Sequence, residues 1–148
     1  MKRIKQLVLW GIAGAVIGLL LIQLVPYGRT HENPPVLGEP NWNSPETRAL
    51  AQRACYDCHS NEVDWTPWYT NVAPASWLVQ RDVEEGREHL NFSEWDQGGR
   101  PRELEEVVEV IAEGEMPPLQ YLVAHPEARL SDAEQAALMR GLQNSFTP

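Results

Sequence analysis

The sequence contains 148 residues, a length typical of one folded domain, and 43% of them are hydrophobic and 22% charged. This balance excludes a chain that is disordered throughout, and two cysteines are too few for a disulfide-dense scaffold. The net charge is −9, and the three cations Lys2, Arg3 and Lys5 all precede the first apolar run. Because the remainder is acidic and has no basic stripe, we expect no nucleic-acid partner.

The first predicted element is an apolar segment over residues 7–25, which contains no charge and a single polar side chain, Gln23. As a helix it would be about 28 Å long, which matches the hydrocarbon thickness of a bilayer. A cleaved signal peptide is the alternative, but its apolar region would span only about 7–15 residues. We therefore predict an uncleaved membrane anchor in residues 1–25. The positive-inside rule places the amino-terminal cations in the cytoplasm and the rest of the chain on the periplasmic side of the cytoplasmic membrane.

A proline-rich linker is predicted over residues 26–43, where four prolines occur without helical or alternating periodicity. Residues 44–148 are predicted to form the folded domain. Helix signals there include an N-cap at Ser44 and a capping box that begins at Ser131. Apolar spacing predicts no strand and about four helices, which cover residues 44–59, 75–90, 101–114 and 131–142. The predicted fold class is all-α, with a transmembrane helix followed by a small helical domain.

The two cysteines lie in one pentapeptide, residues 55–59, which has the C-x-x-C-H pattern that attaches a c-type haem. Residues three apart on a helical turn share a face, so both thiols can form thioethers with one haem while His59 offers an imidazole nitrogen to the iron. A thioredoxin-like dithiol would need a neighbouring βαβ unit, and a structural zinc site would need a second pair of ligands. A structural disulfide would leave His59 without a role. We predict one covalent haem c, attached at Cys55 and Cys58, with His59 as the proximal ligand.

A second axial ligand decides whether the iron carries electrons or keeps a face open to small molecules. Met116 is the first candidate, because two prolines follow it and restrict the backbone of its turn. His125 is the second candidate and His89 the third. Met139 lies on the apolar face of the last predicted helix, where core packing explains it better, and His31 lies in the linker.

Several short motifs occur over about residues 36–146, at positions 55–62, 68–69, 73–77, 86–87, 90–95, 114–117, 121, 125–126 and 130–131. Together they resemble the bacterial haem-binding domain family, a group of mostly membrane-anchored monohaem proteins related to class I cytochromes c. The resemblance implies a cytochrome c-like helical fold, attachment through Cys55 and Cys58, His59 as the proximal ligand and Met116 as the distal ligand. The chain departs from the family pattern at Thr66, which interrupts a Trp-Pro-Trp-Tyr run.

Three tryptophans, Trp65, Trp68 and Trp77, are candidates for the walls of a haem pocket, because a porphyrin needs flat apolar surfaces around it. Ordinary core packing is the alternative for each of them. Candidates for pairing with the haem propionates are the arginines Arg81, Arg87 and Arg100.

These residues together predict a membrane-anchored monohaem cytochrome that passes single electrons outside the cytoplasmic membrane. No proton-transfer dyad or nucleophile triad is visible in the sequence, so we expect an electron carrier and no enzyme. Its partner would be a redox protein or a larger membrane electron-transfer complex. Two alternatives stay open: a haem-based sensor or small haem enzyme with an open sixth site, and an accessory haem subunit of a respiratory or photosynthetic complex. In the second alternative, Gly14 and Gly18 would pack the anchor on partner helices.

Overall fold

The computed structural model describes residues 2–146, and their regular structure is helical. The α-helices are α1 (Lys2–Ile22), α2 (Pro45–Ala54), α3 (Tyr56–His59), α4 (Ala75–His89), α5 (Leu104–Ala112), α6 (Leu119–Ala124) and α7 (Asp132–Phe146). Short 3₁₀ turns occur at Trp68–Asn71, Trp95–Gln97 and Pro126–Ala128. Residues 2–146 contain no β-strand, and the one bridge among them joins Gly38 to Glu94. The predicted all-α class is confirmed.

Two compact units make up the chain. The first comprises the residues up to Glu32 together with Trp65–Asp82, and the second comprises Asn33–Asp64 together with the residues from Val83 onward. The domain limits predicted from the sequence, at residues 25 and 43, stay predictions, and the outermost limits, residues 1 and 148, lie outside the described part of the chain.

Helix α1 belongs to the first unit and buries none of its 21 residues within the protein. Its length of about 31 Å and its apolar composition are sufficient to cross a membrane. The helix begins five residues before the predicted apolar segment and ends three residues before its end, at Ile22. Backbone hydrogen bonds between residues three apart, such as the one that Val25 N–H donates to Ile22 O at 3.2 Å, tighten the last turn, and Pro26 disfavours further helix.

The side chain of Gln23 joins the end of α1 to the segment before α4. Gln23 Nε2 donates to the carbonyls of Leu19 at 3.0 Å and Ala73 at 2.9 Å, while Gln23 Oε1 accepts from Ala73 N–H at 3.0 Å. Arg29 donates to the same Oε1 at 2.8 Å. The single polar side chain of the apolar segment 7–25 therefore satisfies both polar groups of the buried Ala73.

We expect Gln23→Leu to loosen the segment around Ala73, because the variant leaves a buried N–H and a buried C=O without their partner. The loss of such bonds costs about 1–3 kcal/mol, so hydrogen exchange at the Ala73 amide should accelerate roughly tenfold or more. The matched control is Gln52→Leu, which changes an exposed glutamine of α2. Equal exchange of the Ala73 amide in the two variants would contradict the expectation.

The second unit has its core where α2 and α5 each pack against α7. The close contact of α2 with α7 depends on Gly141, because a Cβ at that position would collide with the Thr47 side chain. Aromatic and branched side chains from these helices and from the loop after α4 fill the centre. The buried members are Leu50, Ala51, Tyr56, Leu90, Phe92, Trp95, Ile111, Leu138 and Leu142.

The predicted helix starts at the two capping serines are confirmed. The Ser44 side chain accepts from Thr47 N–H at 3.1 Å and caps α2. Before α7, Ser131 N–H donates to the Glu134 carboxylate at 2.8 Å and Ser131 Oγ accepts from Glu134 N–H at 3.4 Å, which is the reciprocal pattern of a capping box.

The helices differ from the prediction at several points, and the last helix runs on to Phe146, beyond the predicted end at residue 142. The helix expected over residues 44–59 is interrupted at Cys55, whose φ of −126° and ψ of −30° depart from helical geometry. The third helix starts at Leu104 rather than at the expected Pro101, after an extended residue. Helix α6 was not predicted, because its six residues are too few to show a periodic apolar pattern.

Candidate functional site

The C-x-x-C-H segment forms a helical turn directly after α2. Cys55 ends α2 and precedes α3, and its carbonyl accepts from Cys58 N–H at 3.2 Å and from His59 N–H at 2.9 Å. The two cysteines are thus one turn apart, partly exposed, and present as thiols rather than as a disulfide. Burial, with a smaller contribution from Cys58, raises the pKa of the Cys55 thiol to about 12. A redox-active dithiol needs a lowered thiol pKa, so this segment is a poor candidate for one.

His59 is held by two main-chain carbonyls. Its Nδ1 lies 2.8 Å from Gly86 O and 3.1 Å from Leu90 O. Because a carbonyl can only accept a hydrogen bond, Nδ1 carries the proton and Nε2 keeps its lone pair. Burial lowers the pKa of His59, and the two carbonyl bonds oppose that shift. The side chain is therefore a neutral, oriented imidazole with Nε2 available to a metal, which is the usual arrangement of a ligating histidine.

Helix α4 can supply these carbonyls because Gly86 has no side chain. A Cβ at Gly86 would lie 2.5 Å from Cys58 O and 3.1 Å from Cys58 Cβ. Two further bonds fix the same region: Phe92 N–H donates to His59 O at 2.8 Å, and Arg87 Nε donates to Ser60 O at 2.8 Å. The C-x-x-C-H turn and α4 are therefore in direct contact, and this contact requires glycine at position 86.

A buried polar network supports the residues that follow the turn. Ser60 Oγ donates to Tyr56 O at 2.8 Å, and Asn61 N–H donates to Ser93 Oγ at 2.9 Å. Asn91 Nδ2 donates to Asn61 Oδ1 at 3.0 Å. These residues were not predicted to have a role. The one signal in the sequence is a pair of uncharged polar residues, Ser60 and Asn61, directly after the C-x-x-C-H motif, and the structure shows that they are buried and hydrogen-bonded.

A second cluster lies on the Asp57 side of the turn. Tyr121 Oη donates to Asp57 Oδ2 at 2.7 Å, and the ring of His125 packs edge-on against Tyr121 at 4.2 Å between centroids. His125 Nδ1 is 3.8 Å from Asp57 Oδ2. Burial, followed by the Asp57 carboxylate, raises the pKa of Tyr121. The second candidate for the distal ligand, His125, is thus engaged with Asp57 and Tyr121.

The other candidate ligands lie in different surroundings. Met116 follows the turn at Gly114, which has a φ of +74°, and its side chain is 42% exposed. Met139 packs against the core of the second unit, as expected. His89 is exposed at the end of α4. His31 stacks on Trp65 at 4.8 Å and bonds to Thr70 O at 2.9 Å.

The predicted pocket tryptophans, Trp65, Trp68 and Trp77, all belong to the first unit, whereas the aromatic residues of the second unit's core come from other positions. Tyr56 and Phe92 stack at 5.4 Å, and Trp42, which was not singled out from the sequence, lies 5.3 Å from Phe92. Among the arginines named as propionate partners, Arg100 forms an ion pair with Asp96 at 2.5 Å, while Arg81 is exposed.

A family model described as a haem-binding domain matches residues 17–144. The chain belongs to the haem-binding domain family. No curated protein and no solved structure gave a match to it. The family match begins inside α1 and includes residues of both compact units, so the end of the apolar helix is part of what defines this haem-binding domain.

The residues on the C-x-x-C-H turn fit a haem. Within residues 2–146 no group of three or more His, Cys, Asp or Glu side chains could hold a bare metal ion. A porphyrin needs only axial ligands from the protein because it provides the other four donors itself, and His59 offers an oriented Nε2 for that purpose. The donor set of this haem-binding domain therefore suits iron in a porphyrin and not a zinc site built from side chains.

Proposed function

We propose that this haem-binding domain protein is a membrane-anchored monohaem c-type cytochrome that transfers single electrons outside the cytoplasmic membrane. The observation that carries the proposal is the orientation of His59, whose Nδ1 is tied to Gly86 O and Leu90 O one residue after Cys58. This arrangement combines an axial ligand with two thiols on the same turn. It is the arrangement expected of covalent attachment through Cys55 and Cys58.

Haem iron supplies a one-electron couple when it is bound. Cys55 and Cys58 would hold the group by thioethers on one turn of helix, and His59 would ligate through Nε2. Main-chain carbonyls, rather than a mobile side chain, keep the imidazole ring in place. The buried contacts of Ser60 and Asn61 then limit movement of the segment that follows the ligand. A site that keeps the same geometry in both oxidation states lowers the reorganisation needed for electron transfer.

Met116 is the proposed distal ligand. It lies in a turn whose backbone is restrained by Gly114 and by the two prolines that follow, and its amide donates to Val110 O at 3.1 Å. The residue is 42% exposed and is not part of the protein's own core. Methionine ligation raises the reduction potential and fills the sixth position, both of which suit an electron carrier.

We expect Met116→Leu to lower the reduction potential by on the order of 0.1 V, within the range of roughly 0.8 V that axial ligands span. The ferrous variant should also bind carbon monoxide, which the unaltered protein should bind slowly or not at all. Redox titration and carbon monoxide difference spectra of the purified holoprotein measure the two effects. The matched control is Met139→Leu, which replaces a methionine packed on the core.

Identical potentials and carbon monoxide binding in the two leucine variants would exclude Met116 as the distal ligand. In that case the engagement of His125 with Asp57 and Tyr121 favours a second candidate function, a sensor or small enzyme with an open sixth site. Rapid carbon monoxide binding by the unaltered ferrous protein would then be the first sign of it.

Helix α1 is the proposed anchor, with Lys2, Arg3 and Lys5 in the cytoplasm and the haem-binding domain on the periplasmic side. Carbonate extraction of membranes and protease accessibility in spheroplasts test this orientation. The proposed partner is a redox protein or a larger membrane electron-transfer complex, which co-purification in mild detergent would capture.

A further inference from the structure

The first unit contains a shallow apolar groove beside the end of α1. It has a volume of about 420 Å³, and we call it the interfacial groove; its lining residues are Val25, Tyr27, Trp77, Leu78 and Arg81. Leu78 is 60% exposed, and Val25 and Tyr27 are 45% and 42% exposed. Exposed apolar side chains grouped in a concave surface indicate a contact with a partner or a membrane.

Two contacts hold the groove at the end of α1. Gln23 bonds both polar groups of Ala73, two residues before α4 begins. Gly28, which has a φ of +76°, lies so close to Ser76 that a Cβ would collide with the Ser76 carbonyl. The first turn of α4, which carries Trp77 and Leu78, is therefore fixed within a few residues of the point where the apolar helix ends.

The position along the chain determines the depth at which these residues would lie. Helix α1 has 21 residues and a length of about 31 Å, close to the hydrocarbon thickness of about 30 Å. Val25 and Tyr27 follow its last residue by three and five positions, which places them at the level of the lipid headgroups if α1 crosses the membrane. Tryptophan and tyrosine are enriched at that level, and arginine extends its guanidinium toward phosphate there.

Trp77 and Arg81 give the groove the composition of a membrane interface. Trp77 contributes an aromatic ring to the lining, while its Nε1 is buried without an acceptor among residues 2–146 and does not reach the groove. Tryptophan is enriched where acyl chains meet lipid headgroups, and an arginine at that level can approach phosphate. The groove thus offers an apolar surface for acyl chain and a cation for a headgroup.

We propose that the interfacial groove is a phospholipid contact, in which the start of α4 rests on the outer surface of the same bilayer that α1 spans. The inference rests on the membrane anchoring proposed above, and it adds a second attachment of the haem-binding domain protein to the membrane. Rotation and tilt of the first unit would then be restrained by Tyr27, Trp77 and Leu78 as well as by the helix.

Photo-crosslinking of the full chain in phosphatidylethanolamine–phosphatidylglycerol nanodiscs tests the contact. Benzoylphenylalanine is introduced separately at Leu78 in the groove, at Ile17 within α1, and at Thr66, an exposed position of the same unit. Irradiation is followed by mass spectrometry of lipid adducts. A circular dichroism melt like that of the unaltered protein is required of each variant, so that unfolding cannot account for a missing adduct.

We expect lipid adducts at Leu78 in a yield within a few-fold of that at Ile17 and at least tenfold above that at Thr66. Adducts at Ile17 with no more at Leu78 than at Thr66 would overturn the lipid contact and leave the anchor intact. Absence of adducts at both Ile17 and Leu78 would overturn the anchor, and the groove's proposed role with it.

Discussion

Replacement of Cys55 and Cys58 together by serine is expected to abolish covalently bound haem, from one group per chain to none. Serine is close to cysteine in size but cannot form a thioether, while the helical turn that contains both positions is held by hydrogen bonds that Cys58 N–H and His59 N–H donate to Cys55 O. The loss should therefore be chemical and not a result of misfolding. Haem-stained denaturing gels and intact-protein mass spectrometry measure it directly.

Single serine variants and a neighbouring control make this experiment decisive. Each single variant should retain one attachment and show reduced but detectable covalent haem, because the two thiols lie on the same turn. Glu62→Gln, which changes an exposed side chain three residues after His59, should retain full attachment. Haem that stays bound to the double variant through denaturation, or an unaltered protein without added mass, would contradict covalent attachment.

The largest expected effect on stability is that of Gly86→Ala. A Cβ at this position would lie 2.5 Å from Cys58 O and 3.0 Å from Cys58 C, so α4 must move away from the C-x-x-C-H turn. Such overpacking costs about 1–3 kcal/mol, which exceeds the gain of up to about 1 kcal/mol from alanine's better helix propensity. The movement would also lengthen the bond between His59 Nδ1 and Gly86 O, and disturb the orientation of the imidazole.

Denaturant unfolding of Gly86→Ala should show a free energy of unfolding lower by an amount in this range, and haem incorporation should fall with it. The control is Gly38→Ala in the same unit, where an added Cβ meets nothing within 4 Å and φ is not positive. If the two alanine variants unfold at the same denaturant concentration, the close approach of α4 to Cys58 is not a requirement of the fold.

The features best predicted from the sequence are those that depend on interactions between residues close together in the chain. Ser44 and Ser131 cap helices through side chains three residues away, so both starts could be read directly. The break at Cys55 could not, because the C-x-x-C-H turn packs against α4, whose Gly86 lies against Cys58 from 28 residues further along the chain. The sequence signals this contact only through Gly86, a glycine in the middle of the predicted helix 75–90. Glycine is unfavourable inside a helix unless packing requires it.

The candidate site likewise contains a part that a local sequence pattern predicts and a part that depends on tertiary contacts. The spacing of the pentapeptide predicts the attachment residues, but the partners of His59 are carbonyls of Gly86 and Leu90, and main-chain groups have no residue type that a pattern could detect. The link from Tyr121 to Asp57 joins residues 64 positions apart. Such contacts arise from tertiary packing of whole helices, which periodicity within one helix does not report.

The hydrogen bonds of Gln23 bear on whether the folded protein keeps helix α1, the proposed membrane anchor. Cleavage of the chain after Gln23 would separate this residue from Ala73 and leave the N–H and the C=O of Ala73 buried without their partner. Because Gln23 makes these contacts in the folded first unit, removal of α1 together with Gln23 would lower the stability of that unit. If α1 is the membrane anchor proposed above, the folded first unit therefore favours the form of the chain that keeps it.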